Sequence, residues 1–96
     1  MTQIFIIQRT NDSGEDVCPT AFSDKLMAVQ HIIDLAEQEV EEINDTGPSR
    51  FYATYSLNLE KNTLVVKHVS HSDPSQFYTL CKYVIQGITL NTSKLN

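Results

Sequence analysis

Four apolar residues in succession, Ile4 to Ile7, sit between Gln3 and Gln8 near the start of the chain. An unbroken β-branched and aromatic run predicts a strand buried on both faces, inside a sheet rather than at its edge. From Arg9 to Thr20 the chain turns polar, and the stretch NDSGED reads as an exposed turn or loop. A different period then begins. Leu26, Val29, Ile33, Ala36, Val40 and Ile43 follow one another at steps of 3, 4, 3, 4 and 3, with Phe22 one step earlier. That spacing draws an apolar stripe along a helix, and Ile32 and Leu35 widen it enough to pack on a sheet. Ser23 offers a capping hydroxyl and Asp24 a carboxylate for the positive end, so the helix is predicted from there to about Asn44. Gly47 and Pro48 are placed to end it and turn the chain.

Strict alternation follows between Arg50 and Glu60. Phe51, Ala53, Tyr55, Leu57 and Leu59 point one way, and Tyr52, Thr54, Ser56 and Asn58 the other, as in a strand with one face on the core. The segment Glu60 to Thr63 makes a turn, and Leu64 to Ser70 returns as a second strand. If Lys61 and Asn62 are a two-residue loop, Leu59 faces Leu64, Leu57 faces Val66 and Tyr55 faces His68. Asp73, Pro74 and Gln76 then resemble a helix start, Gly87 a helix end, and Phe77, Leu80, Cys81, Val84 and Ile85 one helical face. The same FYTLCKYVI is rich in strand formers, so residues 74–86 stay open between helix and strand.

The predicted fold is α+β, in the order β-α-β-β-α. A three- or four-stranded mixed or antiparallel sheet carries one long amphipathic helix, and the last element is a helix or a further strand. A chain of 96 residues supports one core, so residues 1–90 form one domain and 91–96 a short polar tail. A doubly buried first strand asks for a second layer, from the shorter helix or from another copy. A homodimer is therefore expected.

Composition changes this picture little. No apolar run approaches the ~20 residues of a membrane span, and no basic segment precedes a long apolar one at the N-terminus, which predicts a soluble, cytoplasmic protein. Cys18 and Cys81 lack CxxC spacing and read as reduced thiols, although one bridge between them stays open.

Charge changes it more. Six acidic residues and no Lys or Arg lie between Leu26 and Ser49, so the net charge of -5 is concentrated in this segment. The run EQEVEE, Glu37 to Glu42, falls where the helix dipole favours cations. Repulsion and dipole together cost about 1–2 kcal/mol, which the apolar stripe can absorb. Such a run is either a solvated face or a docking face for a basic protein or a nucleic-acid-binding protein. As a divalent cation site it fails, because a straight helix spreads its carboxylates in several directions. The candidate partner-binding residues are Glu37, Glu39, Glu41, Glu42 and Asp45.

No catalytic motif stands beside them. The three glycines are far apart, and neither G-x-S-x-G nor H-E-x-x-H occurs. His68, His71 and Asp73 lie near one another in the chain, but residues three apart on a strand point to opposite faces. His31 and Asp34 fit a local ion pair, and Cys81 a buried thiol. Seven scattered Lys and Arg residues make no stripe for phosphates, so direct nucleic-acid binding is not expected. The expectation is a non-enzymatic binding module without metal or cofactor. In size, charge and predicted topology it resembles small bacterial and phage domains and small acidic inhibitors of the immunity and anti-defence kind. That likeness implies blocking of a basic partner surface. The alternative is a structural or regulatory accessory protein acting through homo-oligomerisation, with the glutamates only solvated.

Overall fold

The computed structural model describes residues 2–11, 13–18, 20–45 and 50–90, the side chains of Thr2 and Leu90 excepted. The predicted turn at Gly47 and Pro48 and the tail 91–96 lie outside these residues. One helix packs on a five-stranded antiparallel sheet, which makes the fold α+β. The elements are β1 (Thr2–Asn11), β2 (Gly14–Val17), α1 (Lys25–Asn44), β3 (Phe51–Asn58), β4 (Thr63–Ser70) and β5 (Phe77–Leu90). Their order across the sheet is β2-β1-β5-β4-β3.

The predicted last helix is strand β5, pairing β1 on one side and β4 on the other. Two local devices made it look helical. Asp73 Oδ1 accepts from the backbone N–H of Ser75 at 3.1 Å and from its hydroxyl at 2.6 Å, while Gln76 N donates to Asp73 O at 2.9 Å. The Asp-Pro pair that could cap a helix thus closes a turn, in which Pro74 fixes φ. The second device is a bulge: Val66 pairs with Cys81 but Lys67 with Thr79, so Leu80 is extra. It moves the alternation by one residue, so that half-exposed Tyr78 and buried Cys81 share a face at a three-residue step of helical appearance. Gly87, read as a helix end, is mid-strand opposite Phe5, and a Cβ there would meet the Phe5 ring at 3.4 Å.

Other corrections are local. The polar segment after Arg9 is a hairpin, since β1 runs on to Asn11 and β2 returns against it with Asn11 opposite Gly14. Gly14 has φ 133°, where a side chain would be strained. The hairpin β3–β4 uses residues 59–62 as its loop, with Asn62 at φ 54°, so Leu57 faces Leu64, Tyr55 faces Val66 and Ala53 faces His68. That pairing is displaced by two residues from the two-residue loop, and Leu59 is exposed in the turn. The residues Ile88 to Leu90 continue β5 against Thr2 to Ile4.

The core lies between α1 and one sheet face. Ile7, Ala28, Ile32, Ala36, Leu64 and Val66 are fully buried, joined by Cys81, Tyr83 and Ile85. Strand alternation sends Ile4 and Ile6 to the opposite face, where they are only half-buried. Double burial of β1 is therefore not realised: among the described residues α1 is the single helix, and it covers one face. This helix is not long and apolar enough to cross a membrane.

Candidate protein-binding site

The register of α1 decides which carboxylates face outwards. Asp24, not Ser23, caps it: Asp24 Oδ1 accepts from Leu26 N at 2.8 Å. Ala28, Val29, Ile32 and Ala36 are buried, with Ile33, Leu35 and Val40 packed beside them, while Leu26 is 74% exposed. The stripe therefore begins one turn later than its spacing suggested. Burying Ile32 alone is worth about 1.5–3 kcal/mol, comparable to the whole electrostatic cost of the acidic end.

Seven residues after Ile32 and three after Ala36, Glu39 lies on the buried side. Its carboxylate takes the Arg9 Nε–H at 3.1 Å, the Cys81 thiol at 3.2 Å and the Tyr83 hydroxyl in a short hydrogen bond. Arg9 Nε also reaches the Tyr83 oxygen at 3.3 Å, and its guanidinium carbon lies 5.8 Å from the Tyr83 ring centre. Burial alone would raise the Glu39 pKa, but the bonds from Tyr83, Arg9 and Cys81 outweigh it and hold the carboxyl below its usual range. Burial and the hydrogen bond to Glu39 push the Cys81 thiol up to about 12, and the same two causes raise Tyr83. Arg9 is raised chiefly by its bond to Glu39, against the effect of burial. This network fastens α1 to β1 and β5.

The remaining carboxylates form an outer ridge. Asp34, Glu37, Glu41 and Asp45 follow at steps of 3, 4 and 4 and are exposed, with exposed Glu42 beside them. Neutral groups touch some of them. Gln30 Nε2 donates to Asp34 at 3.0 Å, the Tyr55 hydroxyl to Glu37 at 3.0 Å and Gln38 Nε2 to Glu42 at 3.5 Å. None of the five is in an ion pair among the described residues, and the last turn holds no basic residue. Met27, 58% exposed, stands seven residues before Asp34, and Leu26 eleven before Glu37. Apolar and acidic groups thus share one helix surface about 27 Å long.

Of the five sequence-predicted residues, Glu37, Glu41, Glu42 and Asp45 share this outer surface, and Glu39 is turned away from it. Sequence reading missed Asp34 as a member and Arg9, Tyr83 and Cys81 as partners of Glu39. One signal was available: Glu39 keeps the spacing of Ile32 and Ala36.

The histidine segment disperses. His68 bonds the Tyr78 hydroxyl and packs on Phe51, its ring centre 5.3 Å away, whereas His71 packs at a tilt against Tyr52, the ring centres 4.8 Å apart. Asp73 is engaged with Ser75. Among the described residues no group of three or more His, Cys, Asp or Glu is placed to hold a metal ion. His71 lines an open hollow of about 480 Å³ with Arg50, Phe51, Ser70, Ser72 and Gln76. Cys18 and Cys81 are both free thiols, so the bridge left open by the sequence is not formed.

In comparison with known proteins, the chain matches no protein-family model, no curated protein and no solved structure.

Proposed function

We propose that the protein is a non-enzymatic binding module whose outer helix surface docks on a basic surface of another protein, a nucleic-acid-binding protein being one such partner. The observation that carries this reading is the ridge of Asp34, Glu37, Glu41, Glu42 and Asp45, without an ion-paired cation among the described residues. The field of such a ridge speeds encounter with a basic partner, and the exposed Leu26 and Met27 supply apolar contacts at one end. Covering a partner's basic patch in this way would block the binding of whatever anion that patch engages. Glu39 is left out of the contact set, its role being to orient the helix. Two unbridged cysteines accord with action in the cytoplasm.

The test is affinity capture from the native host's lysate at low and moderate salt. The control is the Asp34→Asn/Glu37→Gln/Glu41→Gln/Glu42→Gln/Asp45→Asn variant, checked for folding by circular dichroism. A basic protein held by the parent and lost by the folded variant supports docking through the ridge. Equal retention of the same partners by both proteins would contradict it.

A second reading has its own observation. Ile4, Ile6, Val65, Val84 and Ile88 lie on the sheet face away from α1, with Ile4 opposite Ile88. Such a face suits a second copy of the chain, giving an accessory protein that acts by self-association. Light scattering at high micromolar concentration decides this: a dimer supports it and a monomer removes it.

A further inference from the structure

The two thiols of this chain occupy opposite chemical settings. Cys81 is 1% exposed, donates a hydrogen bond from its thiol to Glu39 and has no route to the thiolate near neutrality. Cys18 is half-exposed beyond the end of β2, where its backbone N–H donates to Ile7 O at 2.8 Å. Its sulfur lies 3.8 Å from Nε2 of His31, which projects from the second turn of α1. The His31 ring is held in turn by Phe22, 5.2 Å away between centres, and Phe22 is fixed to β1 by paired backbone bonds with Phe5. A thiol and an imidazole are thus brought together from segments 13 residues apart, with the ring packed against a third residue, which puts a base within reach of a nucleophile.

We infer that Cys18 and His31 form a thiol–imidazole pair at which the chain undergoes thiol–disulfide exchange with small disulfides. In the exchange, His31 Nε2 takes the proton of the Cys18 thiol. The Cys18 sulfur attacks one sulfur of the disulfide, a new S–S bond forms, the old one breaks, and the departing thiolate receives the proton from His31. Cys18 is oxidised to a mixed disulfide, and the other half of the reagent is reduced to a free thiol. His31 also lines a shallow open hollow of about 180 Å³ with Phe22, Met27, Gln30 and Asp34. Asp34 shares that hollow with His31, and the Ile7 carbonyl holds the Cys18 backbone N–H. The hollow includes Met27 and Asp34 of the proposed docking surface, so a group attached to Cys18 would stand beside that surface. The exchange itself does not depend on the docking reading.

The experiment uses the full chain and oxidised glutathione as probe, with the modified sulfur located by mass spectrometry across pH. Cys18 is expected to react about tenfold or more faster than Cys81 near neutrality, and His31→Gln to slow Cys18 about tenfold. Reaction of Cys18 no faster than that of Cys81 in the parent would overturn the proposal without recourse to any variant. Equal Cys18 rates in the parent and a folded His31→Gln protein would do the same.

Discussion

Glu39 Oε1 accepts the Arg9 Nε–H at 3.1 Å across the boundary between helix and sheet. This is the one ion pair among the described residues, and it takes from the acidic run a single carboxylate for structural use. The neighbouring acids are left facing water. Opposite stability effects should therefore follow from one substitution repeated along the same helix.

Glu39→Gln leaves Arg9 with a neutral partner and disturbs the bonds from Tyr83 and Cys81. The expected loss is about 1–3 kcal/mol, the cost of leaving hydrogen-bonded polar groups poorly matched in a half-buried site. Neutralising Asp34, Glu37, Glu41, Glu42 and Asp45 together removes like-charge repulsion and an unfavourable dipole interaction. That variant should be as stable as the parent or more so by several tenths of a kcal/mol. Urea denaturation of the three proteins checks both signs.

Glu39 also governs the acid limb of stability. Its carboxyl is held below the usual range when folded, so its contribution is fully present above the unfolded Glu pKa and is lost as pH falls through the lower folded value. Glu39→Gln should flatten this loss. Unfolding midpoints across the range from neutral to below the ordinary carboxylate pKa should show the parent and variant converging towards the acid end.

Asn44, in the last turn of α1, does the work of a strand neighbour. Its Oδ1 takes the Ala53 N–H at 2.8 Å and its Nδ2 donates to the Ala53 carbonyl at 3.1 Å. Ala53 is buried on edge strand β3, so Asn44→Ala should leave its N–H without that partner and cost about 1–3 kcal/mol. Hydrogen exchange at Ala53 should accelerate in the variant while amides of β5 keep their protection relative to global stability.

Asn62 holds the left-handed position of the β3–β4 turn, and its carbonyl accepts from Ile85 N at 2.9 Å. Its buried Oδ1 has no hydrogen-bond partner. Asn62→Ala should cost about 1–2 kcal/mol through backbone strain, whereas Asn62→Gly should stay within about 0.5 kcal/mol of the parent. Thermal unfolding of the pair separates the conformational effect from loss of the side chain.

Much of this architecture was legible from local patterns. Ile4 to Ile7 marked an interior strand, Phe51 to Leu57 an alternating one, and the stripe from Val29 to Ile43 a helix that ends at Asn44. Strand β5 was hidden because Asp73 and Pro74 serve a turn as well as a helix start, and because the Leu80 bulge breaks the two-residue period. The hairpin register escaped because it depends on the conformation of one residue, Asn62, which composition does not reveal. For the acidic run, sequence showed the charge but not its direction. Only the packing of Ile32 and Ala36 on the sheet separates inward Glu39 from the outer ridge, and only tertiary structure brings Arg9 and Tyr83 to it.

The central claim, docking of a basic partner by electrostatic attraction to the ridge, is tested most directly by the association rate of the captured partner as ionic strength rises. For the parent the rate should fall about tenfold or more between low salt and a Debye length below ~8 Å, while the five-residue neutralised variant should begin low and change little. An association rate that is the same for both proteins and indifferent to salt would contradict the claim.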